Sequence, residues 1–217
     1  MSRLYTRREV LELAVATGLV SLPGTLPAAQ LLTPRQTEGP FYPLRLPLDS
    51  DNDLVVVDGA SGRAGGTWSN VVGQILDEHG RPVRNARVEI WQCDANGRYH
   101  HRDDPRDVAM DQNFQGFGAT TTDDRGAYRF RTIKPVLYPG RTPHIHFKIK
   151  GPDFEALTTQ MYVAGEPTNE RDGLYRRIPE GLRHSITIEF EPNPDESAEL
   201  IAKFDIVIAA DERFEPA

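Results

Sequence analysis

Residues 138–147 read Tyr-Pro-Gly-Arg-Thr-Pro-His-Ile-His-Phe, with two histidines one residue apart. In a β-strand alternate side chains point to the same face, so His144 and His146 project together, with Cβ atoms roughly 6.5 Å apart at about 3.3 Å of rise per residue. Ile145 and Phe147 point the other way, into a core. The stretch therefore predicts a buried strand with one apolar face and one face where two imidazoles can close on a metal ion. The alternative is that both rings only hydrogen bond to their neighbours.

Strand patterns recur on both sides of this stretch. Gly, Pro and Asp-rich turns at 78–82, 94–98 and 123–126 separate them. The predicted strands cover residues 71–77, 86–92, 127–133, 157–163, 185–190 and 204–208. Residues 102–116 predict a surface loop whose charges are solvated, and 197–203 predict a short helix. Short strands at regular spacing indicate an all-β fold, a Greek-key β-sandwich with few short helices.

Composition divides the chain into three segments. Residues 1–29 carry Arg7-Arg8 before a mildly apolar run and end in a small-residue site, which predicts a twin-arginine-type signal segment and an exported protein. The alternative is a retained amphipathic helix and a cytoplasmic protein. Residues 30–69 form a Pro-rich N-terminal arm, either a strap across the core or a cover over a site that supplies Tyr42. Residues 70–217 form the β-sandwich domain, expected to be catalytic.

Bulk composition excludes several classes of function. The 217 residues carry a formal net charge of -7, which argues against a nucleic-acid partner because phosphate binding needs a basic face. No run of 18 apolar residues exists, so no ordinary membrane span is expected. Cys93 is the single cysteine, which excludes an intramolecular disulfide and predicts a small buried side chain.

The chain resembles the intradiol ring-cleaving dioxygenases, chiefly the iron-binding chain of the protocatechuate type, from about residue 37 to residue 208. Any one shared motif is weak, but their order and spacing are specific. The motifs are Thr37-Glu38-Gly39-Pro40-Phe41-Tyr42-Pro43, Gly73-Gln74, Glu89-Ile90-Trp91-Gln92, Gly97-Arg98-Tyr99, Phe130-Arg131-Thr132-Ile133-Lys134-Pro135, Tyr138-Pro139, Pro143-His144-Ile145-His146-Phe147 and Thr159-Gln160-Met161-Tyr162.

The resemblance implies one non-haem Fe(III) per chain, held by Tyr99, Tyr138, His144 and His146. Hard phenolate oxygens suit a trivalent ion, and a cation of that charge strips the phenol proton. By the resemblance, Tyr99 leaves the metal and accepts a proton when substrate binds, whereas Tyr138 stays. The implied reaction is insertion of both atoms of O2 into a catechol or protocatechuate, between the two hydroxyl-bearing carbons, which gives a cis,cis-muconate-type diacid.

Further positions carry implied roles. Arg141 matches an arginine that stabilises charge developing on the ring. Gln160, Tyr162 and Tyr42 are expected near the substrate. The remaining histidines are expected to be structural or exposed; they are His79, His100, His101 and His184.

The chain departs from the family pattern beside the tyrosine. Only six positions separate Tyr138 from His144, and Gly140 stands where the protocatechuate type has a bulky aromatic residue. The preferred ring substituent therefore stays open, as do a homo-oligomer or a partner chain. Two other hypotheses are a non-catalytic β-sandwich binding module and a different metalloenzyme that uses only His144 and His146.

Overall fold

The computed structural model describes residues 30–151, 155–196, 199–211 and 213. The expected signal segment, 1–29, lies outside the described residues. Ten strands are β1 (Trp68–Asp77), β2 (Arg87–Trp91), β3 (Phe117–Thr121), β4 (Ala127–Ile133), β5 (His144–Lys150), β6 (Glu155–Val163), β7 (Thr187–Ile188), β8 (Glu191–Pro192), β9 (Leu200–Lys203) and β10 (Ile206–Ile208). Two 3-10 turns, Asn169–Arg171 and Tyr175–Arg177, precede one short helix, α1 (Glu180–Arg183).

The strands form two five-stranded sheets. In the first, β1 pairs antiparallel with β4 on one side and parallel with β9 and β10 on the other, and β8 pairs with β9. In the second, the order is β3-β2-β5-β6-β7, with antiparallel pairs except β6 and β7. The expectation of an all-β sandwich is confirmed. Among the described residues, no helix is long and apolar enough to cross a membrane.

One apolar core fills the space between the sheets. Val71 and Phe130 come from the first sheet, and Ile90, Ile145 and Phe147 from the second, all fully buried. The alternation expected for residues 144–147 is therefore confirmed for its apolar face. This face fixes the register of β5, because a slip of one residue would move its apolar side chains out of the core.

Two predictions at the C-terminal end are wrong. The described part of the predicted helix 197–203 is strand β9, because Leu200–Lys203 pairs with β1 on one side and β8 on the other. The predicted strand 185–190 is reduced to Thr187–Ile188. In both segments the backbone conformation is set by pairing with neighbouring strands, and the local sequence does not reveal that pairing.

The N-terminal arm is strapped across the second sheet. The amide of Gln36 donates to the carbonyl of Thr158 at 2.8 Å, and the hydroxyl of Thr159 donates to the carbonyl of Pro34 at 2.7 Å. Further along, Leu54 and Val55 are fully buried in the core. The arm is therefore part of the packed domain, and its path leads over the end of β5 that bears the histidines.

Candidate metal centre

A tight turn places Tyr138 beside Arg141 just before β5. The amide of Arg141 donates to the carbonyl of Tyr138 at 3.0 Å. Pro139 and Gly140 occupy the two central positions, and Gly140 has a φ of +83°. Proline followed by a residue with positive φ is the pattern of a type II turn. The sequence Tyr-Pro-Gly-Arg therefore folds locally to bring the phenol and the guanidinium together.

The two histidines converge at the start of β5. Their Nε2 atoms lie 3.2 Å apart, and the hydroxyl of Tyr99 lies 3.4 Å from Nε2 of His144. All three side chains are buried. The ring of Tyr138 lies 5.7 Å from that of His144 and 5.4 Å from that of Tyr99. The four side chains expected to bind metal are thus brought together.

Each imidazole is held by contacts on the side away from the point where the two Nε2 atoms converge. Nδ1 of His144 donates to the carbonyl of Thr142 at 2.7 Å, so Nε2 of the neutral ring keeps a free lone pair. Trp91 stacks flat on His146, with centroids 4.7 Å apart and 5° between the planes. Gly39 of the arm covers the same ring, since a Cβ there would lie 3.5 Å from it.

Tyr99 is fixed from both ends. Its backbone amide donates to Oδ2 of Asp104 at 2.7 Å, and its ring stacks on Phe41 of the arm with centroids 4.6 Å apart. Asp104 is buried and paired with Arg106, so the expectation that all charges of 102–116 are solvated is wrong at this position. The buried carboxylate of Asp104 holds the backbone of the loop after β2 at the position of Tyr99.

A buried polar network orients Arg141. Its Nε donates to Oδ2 of Asp172 at 2.7 Å, and its Nη2 donates to Oε1 of Gln160 at 2.7 Å. Nη1 lies 3.4 Å from Nε2 of His144, which points the guanidinium at the donor cluster. Asp172 is buried and also accepts from the amide of Thr142 at 3.0 Å.

The three residues expected near substrate bond to protein groups. Gln160 accepts from Arg141 and donates to the carbonyl of Thr37 at 3.0 Å, and Tyr162 donates to Gln36 at 2.7 Å. Tyr42 donates to Glu89 at 2.8 Å. Gln160 and Tyr162 lie behind Arg141, and Tyr42 lies against the edge of Trp91. Their contact with substrate stays a prediction.

The remaining histidines differ in exposure. His79 and His184 lie at the surface, whereas the side chains of His100 and His101 are 22% and 5% exposed. Cys93 is buried, as expected, and burial raises the pKa of its thiol to about 12, which keeps it protonated at neutral pH.

Burial sets the charge state of the donor cluster. It lowers the pKa of His144 to about 3, with the charge of Arg141 acting in the same direction, and it lowers the pKa of His146 well below its usual value. Both imidazoles are therefore neutral, the form that binds metals. Burial raises the pKa of Tyr99 well above its usual value, so its phenolate requires a nearby cation.

Two cavities each border one of the tyrosines. A cavity of about 490 Å³ is lined by Tyr138, Gly140, Arg141 and Asp172. A second cavity, of about 370 Å³, is lined by Phe41 of the arm and by Tyr99, among others. Volumes of this size are typical of small-molecule sites. Tyr138 is only half-buried where it meets the first cavity.

The donor set fits a ferric ion. Metal–imidazole bonds of about 2.0–2.1 Å place two nitrogens on one ion about 3.0–3.4 Å apart, which matches the spacing of the two Nε2 atoms. The described residues contain no group of three or more His, Cys, Asp or Glu side chains able to hold a metal. A metal held here would therefore need Tyr99 and Tyr138 beside the two histidines, and phenolates beside neutral imidazoles would favour a hard trivalent ion.

Comparison with known proteins identifies the family. The family model described as Dioxygenase matches residues 37–210. The β chain of protocatechuate 3,4-dioxygenase from Burkholderia cepacia is 41% identical over 167 residues, 73% of this chain and 71% of that protein. Hydroxyquinol 1,2-dioxygenase from Corynebacterium glutamicum is 31% identical over 202 residues, 79% of this chain and 62% of that protein.

A solved structure shows the same fold. It is the dioxygenase domain of a dioxygenase carbohydrate-binding protein fusion from Streptomyces sp. SirexAA-E, with a TM-score of 0.64 and 28% identity over 83% of this chain and 99% of that one. This chain belongs to the intradiol ring-cleaving dioxygenase family of enzymes. The chain spans 62% of the length of that hydroxyquinol dioxygenase and 50–54% of the catechol 1,2-dioxygenases of Candida albicans and Acinetobacter baylyi.

Several residues that shape the site were not found from the sequence. Asp172 acts through a hydrogen bond with Arg141, 31 positions earlier, whereas Asp104 and Thr142 bond to their near neighbours Tyr99 and His144 in loops whose shape the sequence does not reveal. Trp91 and Phe41 lie in the motifs that carry the resemblance. Their place in those motifs was the available signal that they stack on His146 and Tyr99.

Proposed function

We propose that the chain is an Fe(III)-dependent intradiol dioxygenase that cleaves a catechol-type substrate, catechol or protocatechuate, between its two hydroxyl-bearing carbons. The observation that carries the proposal is the convergence of His144 Nε2, His146 Nε2 and the Tyr99 hydroxyl within 3.2–3.4 Å in a buried site. Tyr138 completes the donor set. Iron bound there would withdraw electron density from a chelated catechol and open its ring to O2.

The chain supplies the remaining requirements of this chemistry. Arg141 presents a buried cation to the centre, held by Asp172 and Gln160, where it can stabilise negative charge that develops on the ring. Burial lowers the pKa of Arg141, but its hydrogen bond and ion pair with Asp172 raise the pKa by more than burial lowers it. The guanidinium therefore keeps its charge. Trp91 and Gly39 close the far side of His146 and exclude water there.

The burial of the two phenols bears on which of them leaves the metal when substrate binds. The family resemblance implied that Tyr99 leaves and Tyr138 stays. Tyr99, however, is 2% exposed and stacked under Phe41, whereas Tyr138 is half-buried and borders the cavity beside Arg141. This contrast supports the reverse assignment: Tyr138 yields its place to substrate, and its Oη accepts a proton from a catechol hydroxyl.

Product analysis tests the proposal. The purified, iron-loaded protein is given catechol and, separately, protocatechuate under ¹⁸O2, and we expect a ring-opened diacid that has gained one O2 with label in its new carboxyl groups. Tyr138→Phe should lower iron content and change the colour of the protein. Oxygen consumption without ring opening, or an unchanged iron spectrum in Tyr138→Phe, would contradict the proposed role of this site.

Export of the protein is a separate proposal. It rests on the paired arginines Arg7-Arg8, the apolar run and the Pro27-Ala28-Ala29 site. Replacing Arg7 and Arg8 by lysine should retain the protein in the cytoplasm if the segment is a twin-arginine signal. Equal distribution of the variant and the original protein between cell fractions would reject it.

A further inference from the structure

The part of the arm that lies over the metal ligands, residues 38–43, is held to the sheet by its side chains. Just before this cover segment, the amide of Gln36 donates to the carbonyl of Thr158 at 2.8 Å, and Nε2 of Gln160 donates to the carbonyl of Thr37 at 3.0 Å. In the described part of the chain, no backbone group of the cover segment bonds to a strand. Its position therefore depends on what its side chains contact.

Two polar anchors fasten the cover segment, one near each end. Glu38 accepts a hydrogen bond from Nζ of Lys148 and forms an ion pair with it. The hydroxyl of Tyr42 donates to Oε2 of Glu89 at 2.8 Å, and Nζ of Lys148 lies 3.9 Å from the centroid of the Tyr42 ring. A cation at that distance over an aromatic face is attracted by the ring. Lys148 therefore contacts both ends of the cover segment.

The strand register places these anchors beside the metal ligands. Lys148 on β5 lies directly opposite Glu89 on β2, and His146 lies directly opposite Trp91. Because His146 and Lys148 are two positions apart on one strand, their side chains leave the same face of the sheet. One cross-strand pair thus holds a metal ligand with the ring stacked on it, and the next pair along the strands holds the arm.

Between the anchors, the cover segment packs on two of the metal ligands. Gly39 lies against the ring of His146, and Phe41 stacks on Tyr99 with centroids 4.6 Å apart. Nδ1 of His146 is buried and has no hydrogen-bond partner among the described residues, although imidazoles that bind metals usually donate this N–H to an acceptor. The orientation of the His146 ring therefore depends on packing by Trp91 and the cover segment.

We propose that Lys148 is a positioning residue of the metal centre. It is 8% exposed, and lysine is rarely buried to this extent without a partner. Lys148 holds the cover segment in place, and the cover segment keeps the rings of His146 and Tyr99 turned toward one ion. The inference rests on the proposed function only in that these residues bind iron.

Limited proteolysis and iron retention test the inference on the intact chain. Lys148→Met keeps the apolar bulk of the side chain and removes its charge, and with it the contacts to Glu38 and Tyr42. In the metal-free protein, chymotrypsin should cleave after Phe41 at least about tenfold faster, because cleavage follows the population of the locally opened segment. The Fe(III)-loaded variant should lose iron to a chelator at least about tenfold faster, and its tyrosinate absorbance per iron should fall toward that of Tyr99→Phe.

Three further variants separate positioning from general loss of stability. Lys148→Arg should restore both rates and the spectrum, because a guanidinium can pair with Glu38 and stack on the ring of Tyr42. Glu38→Gln weakens one anchor at a side chain that is 39% exposed, so the fold is kept and the same changes should appear in smaller measure. The matched control is Lys150→Met, on the same face of the same strand, whose Nζ contacts Glu89 at 3.5 Å; both rates should stay unchanged.

Three results would overturn the inference. They are unchanged cleavage after Phe41 in Lys148→Met and Glu38→Gln, faster cleavage with iron loss and spectrum unchanged, and equal effects in Lys148→Met and Lys150→Met. Neither readout requires ring cleavage. A protein that holds iron and opens no catechol ring would therefore contradict the proposed function and leave the role of Lys148 standing.

Discussion

Asp172 is expected to set the position of Arg141, and Asp172→Asn is the perturbation that tests this. The carboxylate is buried and accepts four hydrogen bonds. Oδ2 takes Nε of Arg141 and the amide of Thr142, while Oδ1 takes the amides of Leu174 at 2.8 Å and Tyr175 at 3.0 Å. Asparagine has a single oxygen, so it can serve only one of these two pairs of donors.

The expected cost follows from this geometry. With the oxygen kept toward Leu174 and Tyr175, the variant loses two hydrogen bonds to a charged acceptor, a destabilisation of about 3–6 kcal/mol. Arg141 then loses its carboxylate partner, keeps its contacts with Gln160, Tyr162 and His144, and can shift. A misplacement of about 1 Å in a positioned group can lower the rate about 100-fold, so kcat should fall by that order with a smaller change in KM.

Urea unfolding and oxygen uptake measure the two effects separately. The control is Glu199→Gln, because Glu199 is a buried carboxylate that accepts from Nε of Arg131 at 2.9 Å, outside the candidate site. Both variants should lose stability, but only Asp172→Asn should lose kcat. A folded Asp172→Asn protein with kcat within about twofold of the original, or an equal loss of kcat in Glu199→Gln, would refute the positioning role.

Substitutions at Gly39 and at Asp77 test two further predictions. Gly39→Ala and Gly165→Ala should lose similar stability in urea unfolding, because both glycines have nearly the same positive φ and a methyl group at position 39 would be in ordinary van der Waals contact with the ring of His146 at 3.5 Å. Metal content after dialysis should therefore stay unchanged in both variants, and a loss of metal in Gly39→Ala alone would contradict this. Burial raises the pKa of Asp77, but hydrogen bonds from Arg81 and His79 lower it more, so its stabilisation is present above its unfolded pKa of about 3.9 and is lost as pH falls through the lower folded value. Asp77→Asn should therefore flatten the acid-unfolding profile below about pH 4, and an unchanged profile would count against this contribution.

The predictable part of the fold came from local patterns. Alternation of His144 and His146 with Ile145 and Phe147 was sufficient to place two imidazoles on one face and two apolar side chains in the core, because strand geometry has a period of two. Strand β9 was misjudged as helix because its state is set by pairing with β1 and β8, and such pairing is not encoded within the segment itself.

The site was predictable only in part. Tyr99 and Tyr138 came from the family resemblance, since no spacing rule links them to the histidines. Asp172 lies 31 positions after Arg141, and the pair forms because the loop after β6 folds back onto the turn before β5. The difference in burial between Tyr99 and Tyr138 also depends on the arm, because Phe41 stacks on Tyr99 but not on Tyr138.

The visible absorption spectrum of the purified protein tests the central claim most directly, recorded before and after addition of catechol or protocatechuate without oxygen. The account predicts a broad tyrosinate-to-Fe(III) charge-transfer band that shifts when one of these substrates binds. A colourless protein that contains a stoichiometric metal would contradict the ligand set of Tyr99, Tyr138, His144 and His146.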